Sequence, residues 1–268
     1  MFRRAGKEDD KRVMGYLKRE GSLNTTLLAY IEKYGFEKDF QDVWLQLDEH
    51  DGKTLAIAMR HFNSLYVYSE GCAYYNEELG TFASFIGAEI ISGKRDLLSE
   101  IALFLDDMVF ETSNHLILQD TSMLVPCEEV QKASLEDCQE LAALIYSIPE
   151  FARFYHSPME IEQGIRRRME MGICRYFILK RDGVIVSQAY TTIESAQYAT
   201  IGGVVTRHEC RKQGLASLVV SCISQDILDE NKTPNLFYSN AEAGRVYGRL
   251  GFVQGGDYAM MLSNKYSI

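Results

Sequence analysis

The sequence predicts an α/β (α+β) fold in which helices flank a mixed central β-sheet, and it predicts that this arrangement occurs twice. Short apolar strands alternate with amphipathic helices along the 268 residues, as in sheet proteins covered by helices. Each half contains a strand pair joined by an Asp-Gly turn, at Asp51-Gly52 and at Asp182-Gly183, which is a strong hairpin signal. One element order used twice predicts two tandem domains, at residues 1–122 and 128–268.

Hydrophobic periodicity places the individual elements, with helices where apolar residues recur three and four positions apart and strands where short apolar runs are bounded by turn residues. In the first half these patterns predict helices at 7–18, 25–33, 77–85 and 97–105, and strands at 43–48, 55–59, 65–68 and 89–91. In the second half they predict helices at 135–146, 159–171, 214–228 and 241–250, and strands at 175–180, 184–192, 198–206, 236–239 and 252–262. Pro158 is expected to open one helix and Pro234 to stop another.

The composition is that of an ordinary globular protein, with 46% hydrophobic and 25% charged residues. Lys and Arg number 28 against 38 Asp and Glu, which gives a net charge of −10. Because this charge repels a phosphate backbone, we expect no nucleic-acid partner, and an anionic ligand must meet a local cluster of cations. No apolar run approaches the roughly 18 residues that span a bilayer, so no membrane partner is expected.

The cysteines indicate a reduced intracellular protein. Six cysteines occur without a C-x-x-C pair, which excludes zinc-ribbon and thioredoxin-type motifs and leaves no metal site expected. The N-terminal residues lack the apolar core of a signal peptide. We therefore expect a cytoplasmic location.

The most informative segment is a strand that runs into a basic loop and then into a helix. Three cations, Arg207, Arg211 and Lys212, fall within six residues, and the helix begins at Gly214. The free amides and the dipole of a helix N-terminus attract an anion such as a phosphate. No G-x-G-x-x-G or P-loop motif is present, so a dinucleotide or P-loop site is not expected. By itself the segment also fits a solvated loop with a turn glycine.

A second pattern lies downstream. Asn240 is suited to cap the helix at 241–250, and Gly251 is suited to end it in a left-handed conformation. Tyr247 follows Asn240 by two helical turns, so both lie on one face. A phenol has a reference pKa near 10 and is protonated at neutral pH, so it can donate a proton. Taken alone, Tyr247 also fits a residue that only packs at the helix surface.

Together the two segments resemble the GNAT superfamily of acyl-CoA-dependent N-acyltransferases. The family pattern R/Q-x-x-G-x-G/A corresponds to Arg211-Lys212-Gln213-Gly214-Leu215-Ala216, and N-x-x-A-x-x-x-Y with a following L-G-F corresponds to Asn240, Ala243, Tyr247 and Leu250-Gly251-Phe252. The resemblance covers the chain from about residue 130 onwards, and it includes the first half only through the order of its elements.

The resemblance implies acetyl-CoA as a co-substrate, with no metal. The cofactor-binding residues that it implies are Val204, Val205, Thr206 and Asn240 for the pantetheine arm, and Arg211, Lys212, Gln213, Gly214, Leu215, Ala216 and Ser217 for the pyrophosphate. Tyr247 would be the catalytic residue that protonates the departing CoA thiolate. The implied activity is direct transfer of an acetyl, or another acyl, group to a primary amine of a small molecule or peptide.

The proton acceptor of this reaction stays open. Several relatives carry a Glu base where this chain has Thr200 and Asn235, neither of which can take a proton from an ammonium group. Glu194, His208 and Glu209 are alternatives, as is a chain of waters leading to bulk solvent. A missing base also fits a non-catalytic CoA or acyl-CoA sensor. A third possibility is an interaction module whose basic loop binds an acidic partner.

The first half is expected to be a degenerate GNAT-like domain. Its counterpart of the phosphate loop, residues 70–80, contains three carboxylates and no cation, and these would repel a pyrophosphate. It would wall the acceptor cleft and stabilise the second half. The net charge favours cationic acceptors such as polyamines, aminoglycosides or Lys side chains, whereas Arg166-Arg167-Arg168 lies on the helix that lines the acceptor site in the family. A monomer and a homodimer both fit.

Overall fold

The structure is a computed structural model that describes residues 2–71 and 74–266. Cys72 and Ala73, which belong to the predicted counterpart loop, lie outside the described residues. The described chain divides into two compact units, residues 2–115 with 255–266, and residues 116–254. Whether 1–122 and 128–268 are independent folding domains stays a prediction.

The first unit is a mixed sheet with helices packed on it. Its helices are α1 (Asp10–Leu17), α2 (Thr25–Tyr34), α3 (Asn76–Ile86) and α4 (Arg95–Ile101). Its strands are β1 (Phe2–Arg4), β2 (Glu37–Lys38), β3 (Gln41–Leu47), β4 (Thr54–His61), β5 (Ser64–Tyr68) and β6 (Ile90–Lys94); β7 (Met108–Leu118) begins in it, and most of β13 (Phe252–Ser263) lies in it. The strand order is β1-β3-β4-β5-β6-β13, with β2 beside β3, and only β5 and β6 run parallel.

The second unit repeats this design. Its helices are α5 (Cys138–Tyr146), α6 (Pro149–Ala152), α7 (Pro158–Glu170), α8 (Leu215–Leu228) and α9 (Ala241–Arg249). Its strands are β8 (Val130–Lys132), β9 (Tyr176–Arg181), β10 (Val184–Glu194), β11 (Tyr198–Thr206) and β12 (Thr233–Tyr238). The order is β12-β11-β10-β9-β8, with β11 and β12 parallel.

Helices cover both faces of the second sheet. On one face Val219, Ile223 and other apolar residues of α8 pack with Ile201 and Leu236 of the strands. On the other face α5 and α7 pack through one cluster of buried residues, which includes Ile165 and Val205. The sheet is thus covered on both sides, and its central strands also bury polar side chains such as Gln188. Apolar residues of β11 pack against a different layer of helices on each face.

The predicted fold class is confirmed; the predicted elements differ mainly at their ends, while β1, β2, β7, β8 and α6 were not predicted. The turn at Asp182-Gly183 has φ of 50° and 80°, as a two-residue hairpin requires. Pro234 lies inside β12 rather than at a helix end, because α8 stops six residues earlier. The chain turns at Asn231, whose φ is 59°; Asn tolerates this left-handed conformation at a helix C-terminus. Among the described residues, no helix is both long and apolar enough to cross a bilayer.

Candidate functional site

The central strand β11 contains a β-bulge at Gly203. Gln188 of β10 pairs with Val205, but Tyr190, two residues further along, pairs with Gly202. The extra residue lies in β11, where Gly203 has φ of 52°. A bulge leaves the extra residue outside the ladder and bends the strand. The backbone of Gly203 therefore lies outside the regular ladder, and its carbonyl accepts from the side chain of Gln188 at 3.4 Å.

The ladder between β11 and β12 stops just before this bulge. The parallel register runs from Tyr198 and Thr233 to Ile201 and Leu236. Beyond that point β11 continues to Thr206 and β12 only to Tyr238. Residues 202–206 of β11 thus have one edge paired with β10 and an opposite edge that β12 does not occupy. This open edge includes the predicted residues Val204, Val205 and Thr206.

The loop after β11 presents a run of free amides. No acceptor is found, within the described part of the chain, for the backbone N–H groups of residues 212–216. Lys212 and Gly214 have φ of 63° and 80°, and alternating left- and right-handed conformations turn successive N–H groups toward one point. A Cβ on Gly214 would meet nothing within 4 Å. The arrangement is suited to hold an anion at the N-terminus of α8.

The predicted loop residues differ in what they offer. The amide of Ser217 donates to the carbonyl of Gly214 at 2.9 Å, so the hydroxyl of Ser217, rather than its amide, is available to a ligand. Arg207 turns away, because its Nε donates to the carbonyl of Ile185 at 2.7 Å and its guanidinium contacts Glu140 at 3.3 Å. Arg211, Lys212 and Gln213 are exposed, and Leu215 and Ala216 begin α8. Lys212 and the terminal nitrogens of Arg211, whose Nε donates to the carbonyl of Thr206 at 3.2 Å, thus remain for a ligand.

The second motif lies beside the end of β12. Asn240 caps α9, its Oδ1 accepting from the amide of Glu242 at 2.8 Å, so its side-chain NH2 remains for another partner. Tyr247 is 7% exposed, and its ring lies 6.1 Å from that of Tyr238 and 6.2 Å from that of Phe252. Burial raises the pKa of Tyr247 to about 12.

Gly251 fixes the end of α9 against the preceding chain. Its φ is 87°, as predicted for the residue that ends the helix. A Cβ there would lie 2.0 Å from the carbonyl oxygen of Asp120. The amides of Gln119 and Asp120 donate to the carbonyl of Gly251 at 3.1 and 3.2 Å. Only glycine satisfies both the conformation and this close approach.

The structure separates Glu194 from the bulge. Glu194 lies at the end of β10, opposite Ala199 near the start of β11, and it accepts from Arg175, Lys232 and Thr191 at 2.7–2.9 Å. Burial raises its pKa, but these donors outweigh that effect, so the pKa lies below its usual value. A carboxylate held by two cations is a weak proton acceptor.

The other candidate positions for the base are either exposed or not basic. His208 and Glu209 are exposed in a 3-10 turn after β11. Thr200 and Asn235 are buried, and the Thr200 hydroxyl donates to Asn235 Oδ1 at 2.9 Å. This pair joins two strands of the sheet, and neither side chain is basic.

Two residues beside the bulge were not predicted. The ring of Tyr190 lies where a Cβ of Gly203 would be, 1.8 Å from its Cε1. Gln188 is fully buried, its Nε2 donates to the carbonyl of Gly203 at 3.4 Å, and its Oε1 has no donor among the described residues. The Gly202-Gly203 pair signalled a close approach to β11, but nothing in the sequence identified the partner strand's residues.

The first unit closes the corresponding helix N-terminus with its own side chains. Gln46 exchanges hydrogen bonds with the backbone of Tyr75, at 3.1 Å to the amide and 2.9 Å from its Nε2 to the carbonyl. Glu78 accepts from the amide of Phe2 at 3.0 Å. The carboxylate of Glu78 repels an anion at this helix N-terminus, and the amide of Tyr75 is already paired. This N-terminus is therefore poorly suited to bind an anion.

Comparisons with known proteins agree with this geometry. Residues 180–258, which contain β10, β11, α8, β12 and α9, match the model of the family described as FR47-like protein. No curated protein matches the chain. The fold resembles many solved structures of GNAT acetyltransferases.

Three solved structures extend over nearly all of the chain. A protein from Drosophila superimposes with a TM-score of 0.68 at 12% identity and covers 99% of both chains. A GCN5-related N-acetyltransferase from Sphaerobacter thermophilus gives 0.63 at 16% identity and covers 97% of this chain and 94% of its own. A tandem GNAT protein from the clavulanic acid biosynthesis pathway gives 0.55 at 13% identity, covering 99% and 98%.

The fold is that of the solved GNAT acetyltransferases, and the predicted resemblance is confirmed at the level of the fold. The likeness to a tandem GNAT protein extends over nearly the whole chain, and the FR47-like segment lies in the second half.

Proposed function

We propose that the protein is an N-acetyltransferase that transfers the acetyl group of acetyl-CoA directly to a primary amine of a small molecule or peptide. The observation that carries this proposal is the run of free amides at residues 212–216, which follows directly on the open edge of β11. An unpaired strand edge that is followed along the chain by an anion site suits a cofactor that has a peptide-like arm and a pyrophosphate.

The residues present fit this cofactor. The amides of residues 212–216 and the side chains of Arg211 and Lys212 would hold the pyrophosphate, with the hydroxyl of Ser217 beside them. Backbone groups of Val204, Val205 and Thr206 would pair with the amides of the pantetheine arm. The free NH2 group of Asn240 would contact the same arm from α9.

The thioester supplies the acyl group, and the chain supplies position and charge. The amine nitrogen forms a bond to the carbonyl carbon while the carbon–sulfur bond breaks. A backbone amide at the Gly203 bulge stabilises the charge that develops on the carbonyl oxygen. Tyr247 donates its proton to the departing sulfur, and the ammonium proton leaves to water. Much of the rate gain comes from holding the two reactants together.

A turnover assay with a broad amine panel tests the proposal. The protein is incubated with acetyl-CoA and with amino acids, polyamines, aminoglycosides or peptides, while free CoA thiol is measured and products are identified by mass spectrometry. Amine-dependent thiol release with a product heavier by one acetyl group is expected. Thiol release that does not depend on any amine would contradict direct transfer.

A sensor that binds CoA without turnover is the second candidate. The buried contact between Thr200 and Asn235 favours it, because these side chains occupy positions where a base is expected and bind each other instead. A sensor would bind acetyl-CoA in a titration and release no thiol with any amine. An enzyme would do both.

A further inference from the structure

Three consecutive arginines on α7 have different surroundings. Arg166 pairs with Glu162 one turn earlier, at 3.2 Å, and Arg167 is exposed. Arg168 is partly buried. Its Nε donates to the carbonyl of Gly164 at 3.3 Å, and its guanidinium hydrogen-bonds the side chain of Tyr190 and lies 5.5 Å from the centroid of that ring. No carboxylate in residues 2–71 or 74–266 forms an ion pair with Arg168.

Another arginine of the same unit shows how a buried guanidinium is normally satisfied. Arg175, with 15% of its side chain exposed, contacts Glu194, Asp226 and Glu230. Removing a guanidinium from water is costly unless an anion and hydrogen-bond acceptors replace the water. A cation–π contact compensates only about 0.5–2 kcal/mol. With one N–H on the Gly164 carbonyl and one on the Tyr190 side chain, Arg168 has three further N–H donors for an anionic group that the described residues do not supply.

Arg168 is one tyrosine ring away from the bulge. Tyr190, against which its guanidinium lies, packs where a Cβ of Gly203 would be. Tyr190 also stacks on Tyr176, with ring centroids 4.7 Å apart. These tyrosines belong to the face of the sheet that α5 and α7 cover. Arg168 therefore approaches the bulge from that face.

The anion for Arg168 cannot be the cofactor's pyrophosphate on this geometry. The free amides of residues 212–216 lie at the N-terminus of α8, and α8 covers the opposite face of the sheet. An anionic group held by Arg168 would instead lie on the face that α5 and α7 cover, one tyrosine ring from the bulge. Because the pyrophosphate is assigned to the opposite face, we assign this anion to the acceptor.

We propose that Arg168 binds a carboxylate of the acceptor, so that the acceptor is an amino acid rather than a polyamine. This inference rests on the proposed acetyl transfer. A planar guanidinium matches a carboxylate with two parallel hydrogen bonds. Such a pair fixes the distance between the carboxylate and the bulge, and with it the position of the amine. The local cation thus opposes the attraction of cationic acceptors by the net charge of −10.

The test compares acceptors that differ only in the carboxylate. Acetyl transfer to a panel of L-amino acids is measured beside transfer to their carboxamides, with wild type, Arg168→Met, Arg168→Lys and the exposed-site control Arg167→Gln. We expect wild type and Arg167→Gln to prefer the free acid by about 100-fold in kcat/KM, which is the size expected for a lost charged hydrogen-bonded pair. Arg168→Met should lose this preference through KM, and Arg168→Lys should keep part of it.

Several outcomes overturn the inference. Equal use of acids and carboxamides by wild type would do so, and so would an equal loss for both substrates in Arg168→Met. Acetyl-CoA affinity, measured by calorimetry, should be the same in all four proteins, which shows that the variants fold. Calorimetric binding of an amino acid to the CoA-bound wild type, abolished in Arg168→Met but without turnover, would refute the proposed activity and keep the assignment of Arg168. Absence of both binding and turnover would refute both.

Discussion

Replacing Tyr247 by Phe removes one hydroxyl and leaves the packing of the site in place. The ring contacts Tyr238 and Phe252, and Phe can keep both contacts. No hydrogen-bond partner for the hydroxyl is found within the described residues. We therefore expect the free energy of unfolding to change by less than about 0.5 kcal/mol. Acetyl-CoA affinity should also stay within about twofold.

The rate of transfer should fall sharply in the same variant. A positioned general acid contributes about 10²–10⁴-fold, which corresponds to roughly 3–5 kcal/mol of transition-state free energy. The pKa of about 12 for Tyr247 means that about one phenol in 10,000 is ionised near pH 8. The donor is thus protonated across the usual assay range, and Tyr247 should cause no loss of rate below about pH 10.

The assay measures CoA thiol release under saturating acetyl-CoA, together with calorimetric affinity and urea unfolding. Tyr198→Phe is a matched control, because Tyr198 lies at the start of β11 and is remote from the bulge. A Tyr247→Phe protein that keeps its turnover within about threefold of wild type would refute the role of proton donor. An equal loss of turnover in Tyr198→Phe would show that the effect comes from removing any tyrosine hydroxyl rather than from proton donation by Tyr247.

Three further predictions concern the support of the site. Gly203→Ala should destabilise the protein by about 2–4 kcal/mol in urea unfolding, because its Cβ would lie 1.8 Å from the ring of Tyr190 at a φ of 52°; a change below about 0.5 kcal/mol would contradict this. Arg175→Met should lower the free energy of unfolding by about 3 kcal/mol, because Glu194 keeps Lys232 but loses its other cationic partner. Its acetyl-CoA affinity should be unchanged, and a loss of binding in calorimetry would contradict this prediction. Above about pH 10 the free energy of unfolding should fall by up to about 1.4 kcal/mol per pH unit for each buried phenol, since unfolded tyrosines ionise near 10 whereas Tyr190 and Tyr247 do so near about 12; a phenolate absorbance difference between native wild type and native Tyr247→Phe that already rises near pH 10 would contradict it.

Local patterns in the sequence predicted most of the fold. The strand at 198–206 occurs as predicted, and the helix expected at 214–228 begins one residue later because Gly214 caps it. The glycine turns were predictable because each needs a left-handed conformation that few other residues adopt. Strand β7 was not predicted: polar residues interrupt its apolar pattern, and its neighbours in the sheet are remote in the sequence.

The candidate site was predictable in part for the same reason. The phosphate loop and the helix of Asn240 and Tyr247 are contiguous motifs, so spacing alone places their residues. Tyr190 contacts the bulge from the neighbouring strand β10, and Arg168 of α7 contacts Tyr190, so both contacts depend on sheet register and helix packing. No local pattern encodes such contacts, so the surroundings of Arg168 could not be predicted from the sequence.

The central claim is that the loop after β11 holds the cofactor's pyrophosphate. Calorimetric titration of acetyl-CoA into wild type, Gly214→Asn and Gly214→Asp tests it most directly. Asn tolerates the left-handed conformation of Gly214, and Asp has nearly the same shape with a negative charge. At about 4 Å a unit charge repels another by roughly 1–4 kcal/mol, depending on solvent screening. We predict one acetyl-CoA site per chain in wild type and in Gly214→Asn. The affinity of Gly214→Asp for acetyl-CoA should be at least about tenfold lower than that of Gly214→Asn. Equal affinity of the Asn and Asp variants, or no binding by wild type, would contradict the account.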